Sequence, residues 1–202
     1  MKIIVLCSLF ISLNTWAASL NIIFSRGKYQ VIRDGKAIVT KNVSEGDEVR
    51  LEENSLVLLK GVQETIKLTS STIIKLKTFS EKTEIELITG SIISKISKKP
   101  FSVMAKKVSM GVRGTQFFVS YDEKKNVWMC VEEGVVNVND GIKQNVDVNA
   151  GEGLFVVDEK VGKPKKYEWT KKINWEMDET KNLDVNVKIE ARYDDLLDHH
   201  YD

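Results

Sequence analysis

The chain has little of what catalysis usually requires, with two histidines and two cysteines among its 202 residues. Both histidines, His199 and His200, stand at the extreme C-terminus, where chains are usually poorly ordered. A Ser-His-Asp or Cys-His set would need this tail to fold back onto the rest of the protein. Cys130 alternates in phase with Trp128, which favours a buried and inert thiol. The sequence therefore indicates a protein without catalytic residues, and not an enzyme.

An excess of charge of one sign is also lacking. The chain has 30 basic and 29 acidic side chains, whereas a nucleic-acid-binding protein needs a clustered basic surface. The acidic C-terminal residues Asp194, Asp195 and Asp198, with the two histidines, could hold a cation loosely. A solvated acidic tail is the simpler interpretation. We expect no metal site, no cofactor and no nucleic-acid partner.

No apolar run is long enough to cross a bilayer, which takes ~20 residues. The run Ile3–Leu13 follows Lys2 and precedes Thr15-Trp16-Ala17, the pattern of a secretory signal peptide that is cleaved after its last small residue. An uncleaved anchor is the alternative, but it would have to bury two asparagines. We predict a signal peptide over residues 1–17 and a periplasmic or secreted protein, which would touch a membrane only through an uncleaved signal. After cleavage Cys130 is the one remaining cysteine, which excludes an intramolecular disulfide.

Proline is scarce as well, at two residues, and short β-rich runs recur roughly every ten residues. Asp34-Gly35 and Asp140-Gly141 each lie between two such runs and predict hairpin turns. Sandwiches, barrels and β-solenoids share this spacing. The sequence predicts an all-β domain over residues 18–158, either a sandwich or a short solenoid-like stack of antiparallel strands.

The stretch Val108–Tyr121 changes hydrophobic phase in its middle. Apolar residues occupy even positions up to Val112 and odd positions from Phe117 onward. Since alternate side chains of a strand point to opposite faces, an unbroken strand would leave one of the two sets in water. A bend at Gly114 or Thr115 removes the conflict, because glycine tolerates the backbone angles of a bulge. We predict a bent strand, or two strands that meet at a corner, with Phe118 facing out or filling a second layer.

Three ordered motifs in this region resemble the FecR domain: Val112–Phe117 (VRGTQF), Val131–Val138 (VEEGVVNV) and Val148–Glu152 (VNAGE). The resemblance covers residues 28–157. It implies a periplasmic all-β sensor or interaction module, and the best-known members of the family relay a signal from an outer-membrane receptor to a cytoplasmic sigma factor. The residues that match the family's motifs are expected to be structural: Val112, Arg113, Gly114, Thr115, Phe117, Gly134 and Gly151.

Arg113 has two interpretations. It is either a partner-binding arginine or a half-buried cation that pairs with a carboxylate such as Glu132, Glu133 or Glu152 and holds the bend. The second is favoured, because an arginine in a fold-defining motif suits a structural role. Thr115 is expected to bond nearby backbone through its hydroxyl.

Beyond residue 158 the composition changes. Residues 159–166 combine lysines with Gly162 and Pro164 and predict a linker. Residues 167–202 form a polar extension, in which the four-residue spacing of Trp169, Ile173 and Met177 permits a short helix that docks on the domain. An alternating strand at 184–189 is the other pattern in this extension.

The aromatic residues Trp169 and Trp175 are candidate partner-binding side chains. They either pin the extension by aromatic burial or stack on sugar rings. The function that we expect is that of an exported, non-enzymatic module that binds an envelope or periplasmic protein and is related to signalling. Since the chain opens with a signal sequence, we expect no anti-sigma region of its own. A glycan- or peptidoglycan-binding domain is the alternative.

Overall fold

The computed structural model describes residues 19–121, 126–141, 144–157 and 160–184. The predicted signal peptide, the acidic end of the tail and most of the predicted strand at 184–189 lie outside these ranges. Within them the all-β prediction is confirmed by seventeen strands and one short 3-10 helix, Glu168–Lys172. The strands are β1 Leu20–Arg26, β2 Tyr29–Arg33, β3 Lys36–Ile38, β4 Asn42–Val43, β5 Glu48–Leu51, β6 Leu56–Lys60, β7 Glu64–Leu68, β8 Ile73–Phe79, β9 Thr83–Ile96, β10 Phe101–Ala105, β11 Val108–Val112, β12 Thr115–Tyr121, β13 Val127–Glu133, β14 Val135–Asn139, β15 Asn145–Asn149, β16 Gly153–Val157 and β17 Lys160–Val161.

The strands form two layers that are joined through the long strand β9. Sheet A runs in the order β4-β1-β6-β7-β9-β12-β13-β16-β17 and is antiparallel throughout. Sheet B runs in the order β3-β2-β5-β8-β9-β10-β11-β14-β15, and its only parallel pair among the described strands is β9 with β10. The first half of β9 belongs to sheet B and the second half to sheet A.

One hydrophobic core lies between the layers and takes side chains from both. Ile66 and Val119 of sheet A meet Ile74 and Val103 of sheet B in the same buried cluster. This arrangement is a two-layered sandwich. Within the described residues, no helix is both long enough and apolar enough to span a bilayer.

The predicted bend lies between β11 and β12, where the chain passes from sheet B to sheet A. Gly114 has a φ of +66°, in the left-handed region that side chains with a Cβ rarely adopt. Val112 and Phe117 both join the inter-sheet core, whereas Phe118 joins a second cluster on the outer face of sheet A. The phase change in the sequence is therefore a corner at which one chain segment serves two sheets.

The chain crosses between the sheets in the same way at other glycines. Gly134 separates β13 from β14, Gly151 separates β15 from β16, and Gly90 divides the two halves of β9. The predicted hairpin at Asp34-Gly35 is present, with φ values of 49° and 75°. The second hairpin, β14 to β15, is also present, although residues 142 and 143 of its loop lie outside the described ranges.

Candidate interaction site

The corner at Gly114 packs directly on the neighbouring corner at Gly134. The Thr115 hydroxyl donates to the carbonyl of Val135 at 3.1 Å and lies 3.3 Å from the carbonyl of Arg113. A Cβ on Gly134 would lie 2.6 Å from the carbonyl oxygen of Gly114, so only glycine allows this approach. The motif residues thus hold two crossings against each other, with the Thr115 hydroxyl between them. The hydrogen bonds of that hydroxyl to nearby backbone were the part expected from the sequence.

The side chain of Arg113 takes no part in the hydrogen bonds that hold this corner. It is exposed, and it makes no hydrogen bond or ion pair with the described part of the chain. The carboxylate of Glu152, one of its expected partners, instead accepts from the main-chain N–H and side-chain amide of Asn149. The expected ion pair with Glu132, Glu133 or Glu152 is not found among the described residues, and the side chain of Arg113 is exposed.

Beside this corner lies the open edge of sheet B, formed by β15. The N–H of Asn149 bonds the Glu152 carboxylate at 2.9 Å rather than strand β14. Because the N–H and C=O of one residue in an antiparallel strand point to the same side and alternate along the chain, Asn145 and Asp147 also direct their main-chain groups outward. Both main-chain groups of Asn149 are bonded by Glu152. No described strand pairs with that side of β15, so the outward donors and acceptors of Asn145 and Asp147 are left without a strand partner.

The other outer surface, that of sheet A, is covered by residues Tyr167–Asp184, which we call the strap. Its start packs on β16, where the rings of Tyr167 and Phe155 are 4.9 Å apart. Its end lies on β6 and β1, where Leu183 joins Leu56 and Leu58 in a buried cluster and Asp184 pairs with Arg26. The expected helix is limited to the five 3-10 residues Glu168–Lys172, because most of the strap follows the sheet surface as irregular chain.

The strap's middle is held by two buried polar side chains of sheet A. The Lys67 ammonium donates to the carbonyls of Asn174 at 2.8 Å and of Glu176 at 2.7 Å. From the opposite side, the Gln116 amide donates to the carbonyl of Trp175 at 2.8 Å. The carbonyls of three successive strap residues therefore bond alternately to a side chain of β7 and a side chain of β12. This alternation is that of an extended chain, and it places the strap backbone over β9, which lies between β7 and β12.

Burial under the strap lowers the pKa of the Lys67 amine from its ordinary value of 10.5 to about 8, and the charges of Glu176 and Asp184 only partly oppose this. The side chain is fully buried, and a buried ammonium loses the hydration that stabilises its charge. Its two carbonyl partners carry dipoles rather than full charges, so they compensate this loss only in part.

Stability should therefore rise with pH above 8 because of Lys67. Between pH 8 and 10.5 the unfolded chain holds a proton that the folded chain has released, given the pKa of about 8, and stability increases wherever the unfolded state binds more protons. We expect the wild-type protein to gain up to ~3 kcal/mol over this interval relative to Lys67→Met. Urea unfolding of both proteins at several pH values measures this difference. Equal pH slopes in the two proteins would show that Lys67 does not titrate in this range.

The structure separates the tryptophan candidates. Trp175 is half-buried and packs on a cluster of Ile93, Phe118, Trp128, Cys130, Phe155 and Ile173. Trp169 lies in the 3-10 helix, and its side chain is outside what the structure describes. Cys130 is fully buried in phase with Trp128, as the alternation predicted.

The segment predicted as a linker contributes to sheet A. Lys160 and Val161 form β17 against β16, and Lys165 exchanges main-chain hydrogen bonds of 2.8 and 3.0 Å with Gly153. The strap therefore starts from an anchored position at the sheet edge.

Sequence reasoning did not find Lys67 or Gln116. A signal for the covered face was nevertheless available, because Val127–Val131 is apolar at five consecutive positions, all of them buried, and such runs are typical of strands that are buried on both faces. Within the described residues, no group of three or more His, Cys, Asp or Glu side chains is placed to hold a metal ion.

Comparison with known proteins gives one family and one fold. The family described as FecR protein matches residues 31–137. Two crystal structures of a "putative anti-sigma factor" from Parabacteroides distasonis ATCC 8503 are similar, with 19% and 18% identity and TM-scores of 0.52 and 0.53. Each alignment covers 59% of this chain and 59% of the other, so this chain spans less than two thirds of those relatives. At such identities the likeness shows the fold alone. No curated protein matches the chain.

Proposed function

The chain belongs to the FecR family, and on that premise we propose that it is an exported, non-enzymatic protein-interaction module of a signalling system. The family match and the fold shared with the Parabacteroides protein, which is described as an anti-sigma factor, support a regulatory role. The signal-like residues 1–17 support export to the periplasm or beyond. The partner is then an envelope or periplasmic protein.

The observation that carries this proposal is the open edge of β15 beside the exposed Arg113. Val135 pairs with Asn149 at the end of β15, and its carbonyl accepts from Thr115, so the edge and the corner form one surface. Strand β15 has five residues, whereas the other described edge strands, β3, β4 and β17, have three or two. An extended segment of a partner adds most readily to the longest open edge, through main-chain hydrogen bonds.

Main-chain pairing does not select among partner sequences, and Arg113 could provide this selectivity. Its guanidinium is exposed and carries five N–H donors in a planar fork that fits a carboxylate. The packed glycine corner fixes its backbone, so a partner does not have to order that backbone on binding. We therefore infer that the partner's added strand continues past Asn149 and presents an acidic side chain to Arg113.

A proline at Asp147 tests the edge. Asp147→Pro removes an N–H that points away from β14, so it should disturb the sandwich little. The immobilised full chain should capture an envelope protein, and Asp147→Pro should weaken the affinity for that purified partner roughly tenfold or more, since several main-chain bonds depend on register. Asp147→Asn retains the N–H and should bind like the wild type. Equal binding by Asp147→Pro, with an unchanged melting curve, would exclude the β15 edge as the binding site.

Arg113→Ala is the second arm of this experiment. We expect it to weaken the same interaction with little change in the melting temperature, because the side chain is exposed and surface substitutions usually cost little. Glycan binding stays a prediction, tested by sedimentation with cell wall. The packing of Trp175 in the outer cluster of sheet A favours the role of pinning the extension instead.

A further inference from the structure

The outer face of sheet A has the features of a built peptide site. Its donors, the side chains of Lys67 and Gln116, are 0% and 7% exposed, and both bond main-chain carbonyls of the strap. Main-chain carbonyls occur at every residue of any polypeptide, so these donors recognise an extended backbone rather than one side chain. Apolar surface lies on both sides of them, the cluster around Phe118 on one side and Leu56 with Leu58 on the other.

We infer that this face is a second peptide-recognition surface, for which the strap is a tethered ligand that a separate extended, acidic peptide can replace. It is distinct from the β15 edge and does not depend on the function proposed for that edge. The peptide that fits has an extended stretch with three alternating carbonyls, an apolar anchor on each side of it, and a carboxylate at its C-terminal end opposite Arg26.

The chemistry of the strap argues for this kind of ligand. Residues 167–184 contain five acidic and three basic side chains. The positively charged groups of the domain that act on the strap include Lys67, Arg26 and Lys60. Among the strap side chains that the structure describes, which leave out Trp169, three are buried: Thr170, Ile173 and Leu183. The surface therefore favours acidic chains with few anchors, and its hold on the strap is distributed over a small number of contacts.

Displacement is physically reasonable because closure of the strap takes a lysine out of water. The amine loses basicity in the closed state, so at neutral pH the closed state bears a desolvation cost that an open state avoids. Opening leaves the core between the sheets intact, since Ile173 and Leu183 belong to the outer clusters and not to the inter-sheet cluster. A competing peptide must overcome the high effective concentration of the tethered strap, on the order of millimolar.

A labelled peptide with the sequence of residues 167–184, added to full-length chains, tests this inference. Ile173→Asp combined with Leu183→Asp places charges in the two outer clusters and should release the strap. We expect this variant to bind the peptide at least roughly tenfold more tightly than the wild type, in which the strap competes. Adding Lys67→Met should weaken binding by roughly tenfold or more, because the carbonyl donors are lost. Adding Lys95→Met, at an exposed lysine of the same sheet, should change it less than twofold.

Cys130 reports occupancy at the same place. Its side chain is 0% exposed when the strap is bound. Alkylation of this thiol, measured by mass spectrometry, should therefore be slow in the wild type and fast in the strap-released variant. It should become slow again when the peptide is added. A variant that melts cooperatively but regains no protection of Cys130 with peptide would overturn the inference. Equal peptide binding by the strap-released variant with and without Lys67→Met would also overturn it. The same holds if two chains exchange their straps to form a dimer that the peptide does not dissociate. If the double variant does not fold, Leu183→Asp alone should still raise peptide affinity by a smaller factor.

Discussion

Gly134→Ala should unfold the domain at a temperature roughly 12 °C below that of the wild type, since ~4 kcal/mol of stability is lost and each kcal/mol corresponds to about 3 °C at this size. Two effects add. The residue has a φ of +85°, which costs a residue with a Cβ about 1–2 kcal/mol. The new Cβ would also stand 2.6 Å from the Gly114 carbonyl and 2.8 Å from the Thr115 hydroxyl. Displacing packed atoms of this kind costs about 1–3 kcal/mol more.

Gly151→Ala is the matched control. Gly151 is also a motif glycine at a sheet crossing and has a φ of +80°, but a Cβ there meets nothing within 4 Å. We expect it to lose only about 1 kcal/mol, the cost of the backbone conformation alone. Thermal unfolding monitored by circular dichroism compares the two. Equal losses would mean that the packing of one corner on the other contributes nothing and that backbone strain explains both glycines.

The corner could be predicted from the sequence because its cause is local. Apolar residues occupy even positions up to Val112 and odd positions from Phe117, with a glycine between them. Few strand arrangements bury both groups of apolar residues. The Asp34-Gly35 hairpin was predictable for the same reason, since two adjacent residues determine the turn.

The strap was not predictable in the same way. It docks through its own carbonyls, and carbonyls leave no pattern in a sequence. Its two donors, Lys67 and Gln116, are residue types that normally mark an exposed position of a strand. The pairing of Arg113 could not be predicted for a related reason. Sequence alone does not show which carboxylates a corner brings within reach, and the Glu152 carboxylate bonds Asn149.

Buried charged residues are not revealed by hydrophobic periodicity, because their residue types usually mark exposed positions. Besides Lys67, a second buried charge, the carboxylate of Glu64, joins the ends of four strands. Glu64, at the start of β7, is 1% exposed and lies 3.1 Å from the ammonium of Lys99, which is 4.0 Å above the ring of Phe79 at the end of β8. The carboxylate also accepts from the hydroxyl of Thr83, the first residue of β9, at 2.7 Å. Lys99 stands two residues before β10, so this one carboxylate links strands of both sheets.

Lys99→Met should cost about 4 kcal/mol, because it leaves a carboxylate buried without its cation while it retains most of the apolar stem. Adding Glu64→Gln to that variant should restore stability to within about 1 kcal/mol of the wild type, since the amide carries no charge and can still accept from Thr83. Urea unfolding of the two single variants and the double variant measures the coupling. If Lys99→Met alone loses less than ~1 kcal/mol, the ion pair contributes little and the junction is held by apolar packing around Phe79.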